Sequence, residues 1–143
     1  MSKILLTPLS RISAPGGDVM HIIKPNDPGF NCFGEAYFSF ISKGAIKGWK
    51  KHKEMTLNLI VPIGNIRFVI YPSNEFGTPD LLKKPLEAII GIDNYYRLTI
   101  PPGLWVAFQG INSKENMLLN IASCEHSPEE SESIDLSLVQ FTW

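Results

Sequence analysis

Lys50 and His52 are the two side chains of this sequence best suited to acid–base chemistry. A single residue separates them, and side chains two positions apart on a β-strand point to the same face of the sheet. A base can take a proton from a carbon acid, and a cation beside it can stabilise the oxyanion that results. We therefore predict a pocket lined by both residues, with Lys50 acting as a base or as the partner of an oxyanion.

The other lysines of this segment, Lys47, Lys51 and Lys53, should share the opposite face of the same strand. Gly48 offers an exception, because a β-bulge there would rotate one of these lysines inward. We expect Lys51 and Lys53 to be solvated at the strand end, and Lys47 to be available to an anionic ligand. Because the formal net charge is only -1, any anion binding must come from this local cluster.

Glu35 and Tyr37 alternate onto one face of a strand that we expect beside the Lys50 strand. One interpretation is a polar cluster of Glu35, Lys50 and His52 inside the fold. The other is a paired buried charge with a purely structural role. Tyr37 is a candidate proton donor, although a buried tyrosine with one hydrogen bond is the commoner case.

The tryptophans Trp49 and Trp105, together with Phe108, could form a stacking wall for a nucleobase or a sugar. Large aromatic side chains on strands are more often part of the core, so both interpretations stay open. No glycine-rich loop of the P-loop or dinucleotide type is present in the sequence to bind phosphates.

The composition indicates one domain over residues 1–143, because 44% of the residues are hydrophobic and 19% are charged.

The net charge gives no argument for a nucleic-acid partner. Two cysteines are too few for a disulfide framework, and the first residues lack the apolar core of a signal peptide. No segment reaches the roughly 20 apolar residues that cross a bilayer. We therefore expect a cytoplasmic protein without a membrane partner.

Proline and glycine, eleven of each, divide the chain into short pieces rich in β-branched and aromatic residues. These pieces predict β-strands at 36–41, 55–61, 65–71, 95–100, 105–109 and 116–122, and the segment 134–143 could form a final strand. Only short turns are expected at 80–84 and at 127–131, where Pro128 suits the first position of a helical turn. An all-β sandwich or small barrel is the natural arrangement.

The spacing of residues 44–64 resembles that of the cupin barrel family. That family has a glycine, five residues, His-x-His, three or four residues, Glu, six residues and a glycine; here the glycines stand at 44 and 64, KKH at 50–52 and leucine at 57. A second segment, IPPGLWV at 100–106, resembles the family's Pro-x-Gly-x-x-His, with Val106 in place of the histidine. Only His52 remains as a ligand and the ammonium of Lys50 would repel a cation, so we expect no metal.

Within the cupins, the chain resembles the metal-free dTDP-4-dehydrorhamnose 3,5-epimerase family. The match covers most of the chain and includes GEAYFS at 34–39, IKGWK at 46–50, IPPG at 100–103 and the region 118–128. The resemblance implies a cupin-type double-stranded β-helix, or jelly-roll barrel, that acts on a nucleotide-linked 4-keto sugar without a cofactor and forms a homodimer by strand exchange. Such chemistry needs a base, a cation for the enolate and an acid on the opposite face of the sugar.

The chain departs from that family at its catalytic positions. Lys50 stands where the resemblance places the catalytic histidine, and Asn120 where it places the tyrosine acid. The lysine that would face the enolate falls near Leu57 or Asn58. For such a substrate we expect Lys47 to contact the phosphates, and Asn58 and Asn120 to be among the binding residues.

One hypothesis is an epimerase or isomerase of surface polysaccharide biosynthesis, with its acid and base set rebuilt around the lysine–histidine pair and Glu35. The alternative is a catalytically silent cupin that binds a nucleotide sugar or a partner protein. The retained polar residues favour the enzyme, because an abandoned site would be expected to fill with apolar side chains.

Overall fold

Antiparallel β-strands make up most of the regular structure in residues 3–112 and 114–143, the part of the chain that the computed structural model describes. The strands are β1 (Leu5–Pro8), β2 (Arg11–Ile12), β3 (Val19–Met20), β4 (Glu35–Ser42), β5 (Ile46–His52), β6 (Leu57–Ile63), β7 (Asn65–Pro72), β8 (Leu86–Gly91), β9 (Tyr96–Ile100), β10 (Leu104–Gly110), β11 (Glu115–Ala122) and β12 (Ser131–Ser133). Two 3₁₀-helices, Pro128–Glu130 and Leu136–Leu138, complete this part of the chain. None of its helices has the length and apolar character needed to span a membrane.

Two five-stranded sheets pack face to face. The first has the order β1-β9-β6-β11-β4 and the second β12-β5-β10-β7-β8, while β2 and β3 form a separate ribbon. The chain crosses repeatedly from one sheet to the other, as in a jelly roll. Apolar side chains from both inner faces fill the space between the sheets, including Leu59 and Leu98 of the first sheet and Phe68 and Ile90 of the second. The predicted all-β fold is therefore confirmed.

The predicted strands correspond to β4, β6, β7, β9, β10 and β11 within two residues at each end. They were visible in the sequence because runs of β-branched and aromatic residues between turn residues are a local feature. Strand β11 also alternates, since Asn116, Leu118, Asn120 and Ala122 are buried and the residues between them are less so. Both predicted turns are also present. The backbone N–H of Lys83 donates to the carbonyl of Asp80, and the proline at 128 opens a 3₁₀-helix.

The predicted final strand at 134–143 is wrong, because this segment contains the 3₁₀-helix Leu136–Leu138. The Asp135 carboxylate accepts a hydrogen bond from the Ser137 backbone N–H at 2.8 Å, which favours a turn over an extended chain. The apolar residues of the segment, such as Val139, pack instead on the outer face of the second sheet, where they cover β7 and β10.

A β-bulge in β5 decides which side chains point inward. Gly48 and Trp49 stand opposite Ala107 alone in the pairing of β5 with β10. Gly48 has a φ of +133°, and a Cβ at this position would lie 2.6 Å from the Cα of Ala107, so the site requires glycine. The extra residue brings Lys47 onto the face of Lys50, which is the outcome predicted for a bulge at Gly48.

Candidate active site

A cavity of about 290 Å³ lies between the two sheets. One wall comes from β4, β6 and β11 of the first sheet, and the other from β5 and β10 of the second. Leucines and Phe108 supply much of its apolar lining. Its polar lining includes Tyr37 and Asn120 on the first wall, and Lys47, Lys50 and His52 on the second.

Lys50 and His52 line the same wall, as the alternation along β5 predicted. Val106 lines the cavity as well and pairs with Lys50 across the sheet, so the two segments that resemble the cupin motifs do form one pocket.

In residues 3–112 and 114–143, no hydrogen bond or ion pair engages the Lys50 ammonium. Lys47 Nζ, in contrast, donates to the Phe40 carbonyl at 3.1 Å. The Lys50 charge is therefore the one most available to a ligand.

His52 is held by the carboxylate of Glu130, a residue far from it in the sequence for which no local pattern predicts this pairing. Its Nδ1 lies 2.5 Å from Oε2 of Glu130, and both side chains are about nine-tenths buried. The other carboxylate oxygen of Glu130 accepts the backbone N–H groups of Lys53, Glu54 and Met55 at 3.1, 3.1 and 2.9 Å. Glu130 thus fixes both the imidazole and the chain that leaves β5.

The pKa of Glu130 lies below its ordinary value. Burial alone would raise this pKa, but hydrogen bonds from His52 and from the backbone N–H groups of Met55 and Glu54 outweigh it. Glu130 is therefore a carboxylate at neutral pH and accepts the proton on Nδ1 of His52. This fixes the tautomer of the neutral imidazole and leaves Nε2 as the basic nitrogen.

The opposite wall contains a hydrogen-bonded pair, Tyr37 and Asn120. The two residues are directly opposed in the pairing of β4 with β11, and Asn120 Nδ2 donates to the Tyr37 hydroxyl at 2.7 Å. Burial raises the pKa of Tyr37, a nearby Glu35 charge raises it further, and the hydrogen bond from Asn120 opposes both effects. Tyr37 therefore stays protonated at neutral pH.

The predicted cluster of Glu35 with Lys50 and His52 is not found. Glu35 lies on β4, which belongs to the first sheet, whereas the lysine and histidine lie on β5 of the second. The carboxylate that meets His52 is Glu130. The prediction failed because alternation gives the face of a strand but not the sheet to which the strand belongs.

Of the predicted stacking and binding residues, Asn58 and Trp105 point away from the cavity. Asn58 donates to the Gly29 carbonyl and accepts from the Thr99 hydroxyl, which stabilises the loop before β4. Trp105 is 2% exposed, and its indole N–H donates to the Gly77 carbonyl at 3.0 Å. Asn58 and Trp105 therefore stabilise the core and the adjacent loops.

Trp49 borders the cavity, but its ring lies in the cluster on the outer face of the second sheet. There its ring centroid is 5.6 Å from that of Tyr71 and 6.2 Å from that of Trp143. The ring is 1% exposed. Phe108 is therefore the aromatic side chain of the predicted stacking wall that lines the cavity.

Lys51 is not solvated, contrary to expectation, and is only 8% exposed. Its ammonium donates to the Gly77 carbonyl at 2.8 Å, lies 3.0 Å from a carboxylate oxygen of Glu132 and sits 4.9 Å from the ring centroid of Trp105. It therefore ties β5 to β12 and to the loop after β7. Lys53 is exposed, as predicted.

The described residues contain no group of three or more histidine, cysteine, aspartate or glutamate side chains placed to hold a metal ion. At the cavity, the imidazole of His52 shares its wall with the ammonium of Lys50, whose charge would repel a cation.

The chain is similar to solved structures of sugar-nucleotide enzymes. One is the crystal structure of a dTDP sugar isomerase from Desulfovibrio desulfuricans G20. It shares 33% sequence identity with this chain and superposes with a TM-score of 0.87, and the match covers 98% of this chain and 90% of that one. A dTDP-4-dehydrorhamnose 3,5-epimerase from Sulfolobus tokodaii is 23% identical with a TM-score of 0.81, over 96% of this chain and 80% of that one.

A third structure is a 3,4-ketoisomerase from Thermoanaerobacterium thermosaccharolyticum in complex with TDP-4-keto-6-deoxyglucose. It is 18% identical with a TM-score of 0.73, over 92% of this chain and 88% of that one. No protein-family model matches the chain, and no curated protein matches it in sequence. At these low identities the second and third structures bear on the fold, and they confirm the predicted cupin-type jelly roll.

Proposed function

Since the chain belongs to the dTDP-4-dehydrorhamnose 3,5-epimerase family of sugar-nucleotide epimerases and isomerases, we propose that it moves a proton beside the ketone of a nucleotide-linked 4-keto-6-deoxy sugar. The observation that carries this proposal is the presence of Lys50 and His52 on one cavity wall, with His52 paired to Glu130. A ketone at C4 makes the protons on C3 and C5 acidic, so a base and a cation beside it can form the enolate.

His52 is the base in this scheme. The Glu130 carboxylate accepts the Nδ1 proton at 2.5 Å, which leaves the Nε2 lone pair to take a proton from carbon. The same carboxylate stabilises the imidazolium that forms, as a buried acid does behind a catalytic histidine in other folds. Glu130 thereby takes the role that the sequence predicts for Glu35.

Lys50 is the cation that stabilises the enolate oxygen. The position near Leu57 and Asn58, where the resemblance expects a lysine, has none, and Asn58 points away from the cavity. Lys50 lines the cavity and its ammonium is free of other partners in the described residues. A fixed positive charge in a partly dehydrated cavity stabilises a developing oxyanion more strongly than it would in water.

Substrate binding is assigned to residues around this centre. Lys47 is exposed at the cavity and carries a charge suited to the diphosphate. Phe108 offers an aromatic surface to the base or the sugar. Asn120 offers a polar contact on the opposite wall, while Trp105 and Asn58 have no part in the proposed site. Since the chemistry is proton transfer alone, it requires neither a metal nor a redox cofactor.

The pairing of His52 with Glu130 argues against the alternative of a silent cupin. A binding protein without catalysis has no need of a buried histidine that is oriented by a carboxylate and aimed at the ligand cavity. Burying such a pair costs free energy of desolvation, and an apolar replacement would often be at least as stable. The pair is therefore better explained by acid–base chemistry.

We also propose a homodimer. Strand β4 lies at the free edge of the first sheet, and Phe38 and Phe40 on it are 59% and 52% exposed. An open edge strand with exposed aromatic side chains is suited to pairing with a second copy of the chain. The resemblance to a family that dimerises by strand exchange points the same way.

The cytoplasmic location stays a prediction. Both cysteines are free thiols, and Cys32 is exposed, which suits a reducing compartment.

The experiment for the proposed function is proton exchange. The protein is incubated with dTDP-4-keto-6-deoxyglucose in D₂O, and NMR follows deuterium at C3 and C5. We expect enzyme-dependent exchange at one or both carbons. A lack of exchange with this and other nucleotide-linked 4-keto sugars, while dTDP still binds, would contradict catalysis and leave the silent cupin.

A further inference from the structure

The two cysteines of the chain lie beside each other in the fold, although they are far apart in the sequence. Cys32 Sγ donates a hydrogen bond to the carbonyl of Ser123, the residue before Cys124, at 3.0 Å. Because one peptide bond joins that carbonyl to Cys124, ordinary backbone dimensions put the Cα of Cys124 within about 6 Å of the Cys32 sulfur. The Cys124 side chain is therefore within reach of the Cys32 thiol.

The backbone around the two cysteines is closely packed. The Gly34 N–H donates to the Ala122 carbonyl at 2.8 Å, which continues the pairing of β4 with β11 beyond Glu35. A Cβ at Gly34 would overlap the backbone of Cys124, so the two chain segments are in direct contact there. Strand pairing therefore holds the two cysteines together.

The two thiols differ in exposure. Cys32 is exposed, whereas Cys124 is partly buried and packs against the core between the sheets. Burial raises the pKa of the Cys124 thiol, and the charges of Glu130 and Glu54 raise it further. A thiol with a raised pKa reacts slowly with oxidants, because the thiolate is the reactive form. An oxidant would therefore react with Cys32 first.

A short series of hydrogen bonds connects this pair to the candidate base. The Thr56 N–H donates to Ser123 Oγ at 2.8 Å, and the Thr56 carbonyl accepts the Ser123 N–H at 3.1 Å. The preceding residue, Met55, donates its N–H to Glu130 at 2.9 Å, and Glu130 orients His52. A displacement of Ser123 would therefore reach Glu130 through two residues of backbone.

We propose that the two cysteines are an oxidation site, at which a peroxide produces an intramolecular disulfide that disturbs the pairing of Glu130 with His52. The disulfide is independent of the proposed function, whereas its effect on the reaction rests on that function. To form the bond, Cys32 must release the Ser123 carbonyl and Cys124 must leave its packing against the core. Both movements displace the backbone at Ser123, and oxidation therefore slows the reaction.

The oxidation balances with hydrogen peroxide as the oxidant. The Cys32 thiol takes one oxygen from the peroxide and becomes a sulfenic acid, and the first water leaves. The Cys124 sulfur then attacks the Cys32 sulfur and displaces the hydroxyl, which takes the Cys124 proton and leaves as the second water. The two thiols together lose one pair of electrons, which reduces the peroxide to water. A dithiol reductant reverses the bond by thiol–disulfide exchange.

Mass spectrometry before and after treatment with hydrogen peroxide tests for the bond. We expect the loss of two hydrogen atoms and a cross-linked peptide pair containing Cys32 and Cys124, both reversed by dithiothreitol. Cys32→Ser is the matched control, because it keeps the methionines that peroxide also oxidises but should give no cross-link. Cys124→Ser should instead accumulate a sulfenic acid on Cys32, which dimedone traps.

The effect on the candidate site is measured in two ways. The ring NMR signal of His52, identified by its loss in His52→Gln, should shift on oxidation and return on reduction. This measurement needs no substrate. With dTDP-4-keto-6-deoxyglucose in D₂O, the oxidised protein should exchange deuterium several-fold more slowly than the reduced protein, while peroxide-treated Cys32→Ser keeps its rate.

The outcomes distinguish this proposal from the proposed function. An absent cross-link, or one that joins two copies of the chain, would overturn the oxidation site. A disulfide that leaves the His52 signal unchanged would overturn its connection to the candidate site. If the reduced protein shows no exchange, only the proposed function fails, because the cross-link and the His52 signal are both measured without a sugar nucleotide.

Discussion

The imidazole of His52 and the carboxylate of Glu130 meet at 2.5 Å although the residues are 78 positions apart in the chain. The carboxylate also binds the three backbone N–H groups that follow β5, so one side chain connects the candidate base, the end of a strand and the 3₁₀-helix Pro128–Glu130.

Glu130→Ala should lower the free energy of unfolding by about 2–4 kcal/mol, because charged hydrogen bonds are lost and Met55 N–H is left without its acceptor. Glu129→Ala is the matched control, since that side chain is exposed and should change stability by less than about 0.5 kcal/mol. Urea unfolding measures both. Equal stability of the two variants would show that Glu130 does not fix the strand end.

The stabilisation by Glu130 should depend on pH. Its pKa is lower in the folded protein than the ordinary 4.5, so its contribution is present above that value and is lost as the pH falls through the folded pKa. The stability difference between the unaltered protein and Glu130→Gln should therefore shrink below pH 4.5. Asp135, whose pKa is also lowered, is common to both proteins. A difference that grows on acidification would contradict this prediction.

Lys50→Ala should reduce deuterium exchange by about 100-fold or more, because the enolate loses its cation. Binding of dTDP should change little, since Lys47 remains for the phosphates. Lys53→Ala removes an exposed charge just after the same strand and should leave exchange unchanged. Normal exchange in Lys50→Ala would exclude Lys50 from the reaction.

Gly48→Ala should be strongly destabilising and should disturb the cavity, because a Cβ would lie 2.6 Å from the Cα and Cβ of Ala107. Gly44→Ala is a matched control, since it shares a positive φ, of +81°, but meets no atom within 4 Å. We expect about 1–3 kcal/mol for the backbone strain at Gly44 and a larger loss at Gly48. Similar losses in thermal or urea unfolding would mean that close packing at the bulge is unimportant.

A change of Phe38 and Phe40 to lysine should convert the proposed dimer to a monomer, because the new charges would be buried at the edge of β4. Leu82→Lys changes a fully exposed leucine outside this edge and should leave the dimer intact. Light scattering after gel filtration gives the mass of each. A monomeric unaltered protein, or a dimer that survives the double change, would contradict the proposed interface.

Much of the fold and part of the site were predictable from the sequence. Runs of β-branched and aromatic residues between prolines and glycines predicted six of the strands, and period-two alternation placed Lys50 and His52 on one face. The resemblance of the two segments to the cupin motifs implied that Val106 and Lys50 share a pocket, and the two residues are paired in the sheet. The strands and their faces depend on residues that are close together in the chain. The shared pocket follows from motifs that resemble those of a known barrel family.

The remaining features depend on how distant strands pair and pack. The sheet that receives β4 decided that Glu35 does not join the histidine and that Tyr37 faces it from the opposite wall. The segment 134–143 covers the outer face of the second sheet, which turned the tryptophan rings into core.

Local patterns in the sequence were therefore enough to predict six strands, two turns and the shared face of Lys50 and His52. The pairing of Glu130 with His52 and the burial of Lys51 beneath Gly77 and Glu132 depend instead on the folded arrangement of the whole chain. The physical reason is range: strand periodicity follows from backbone geometry within a few residues, whereas burial and charge pairing arise from contacts that form only when the two sheets and the C-terminal segment come together.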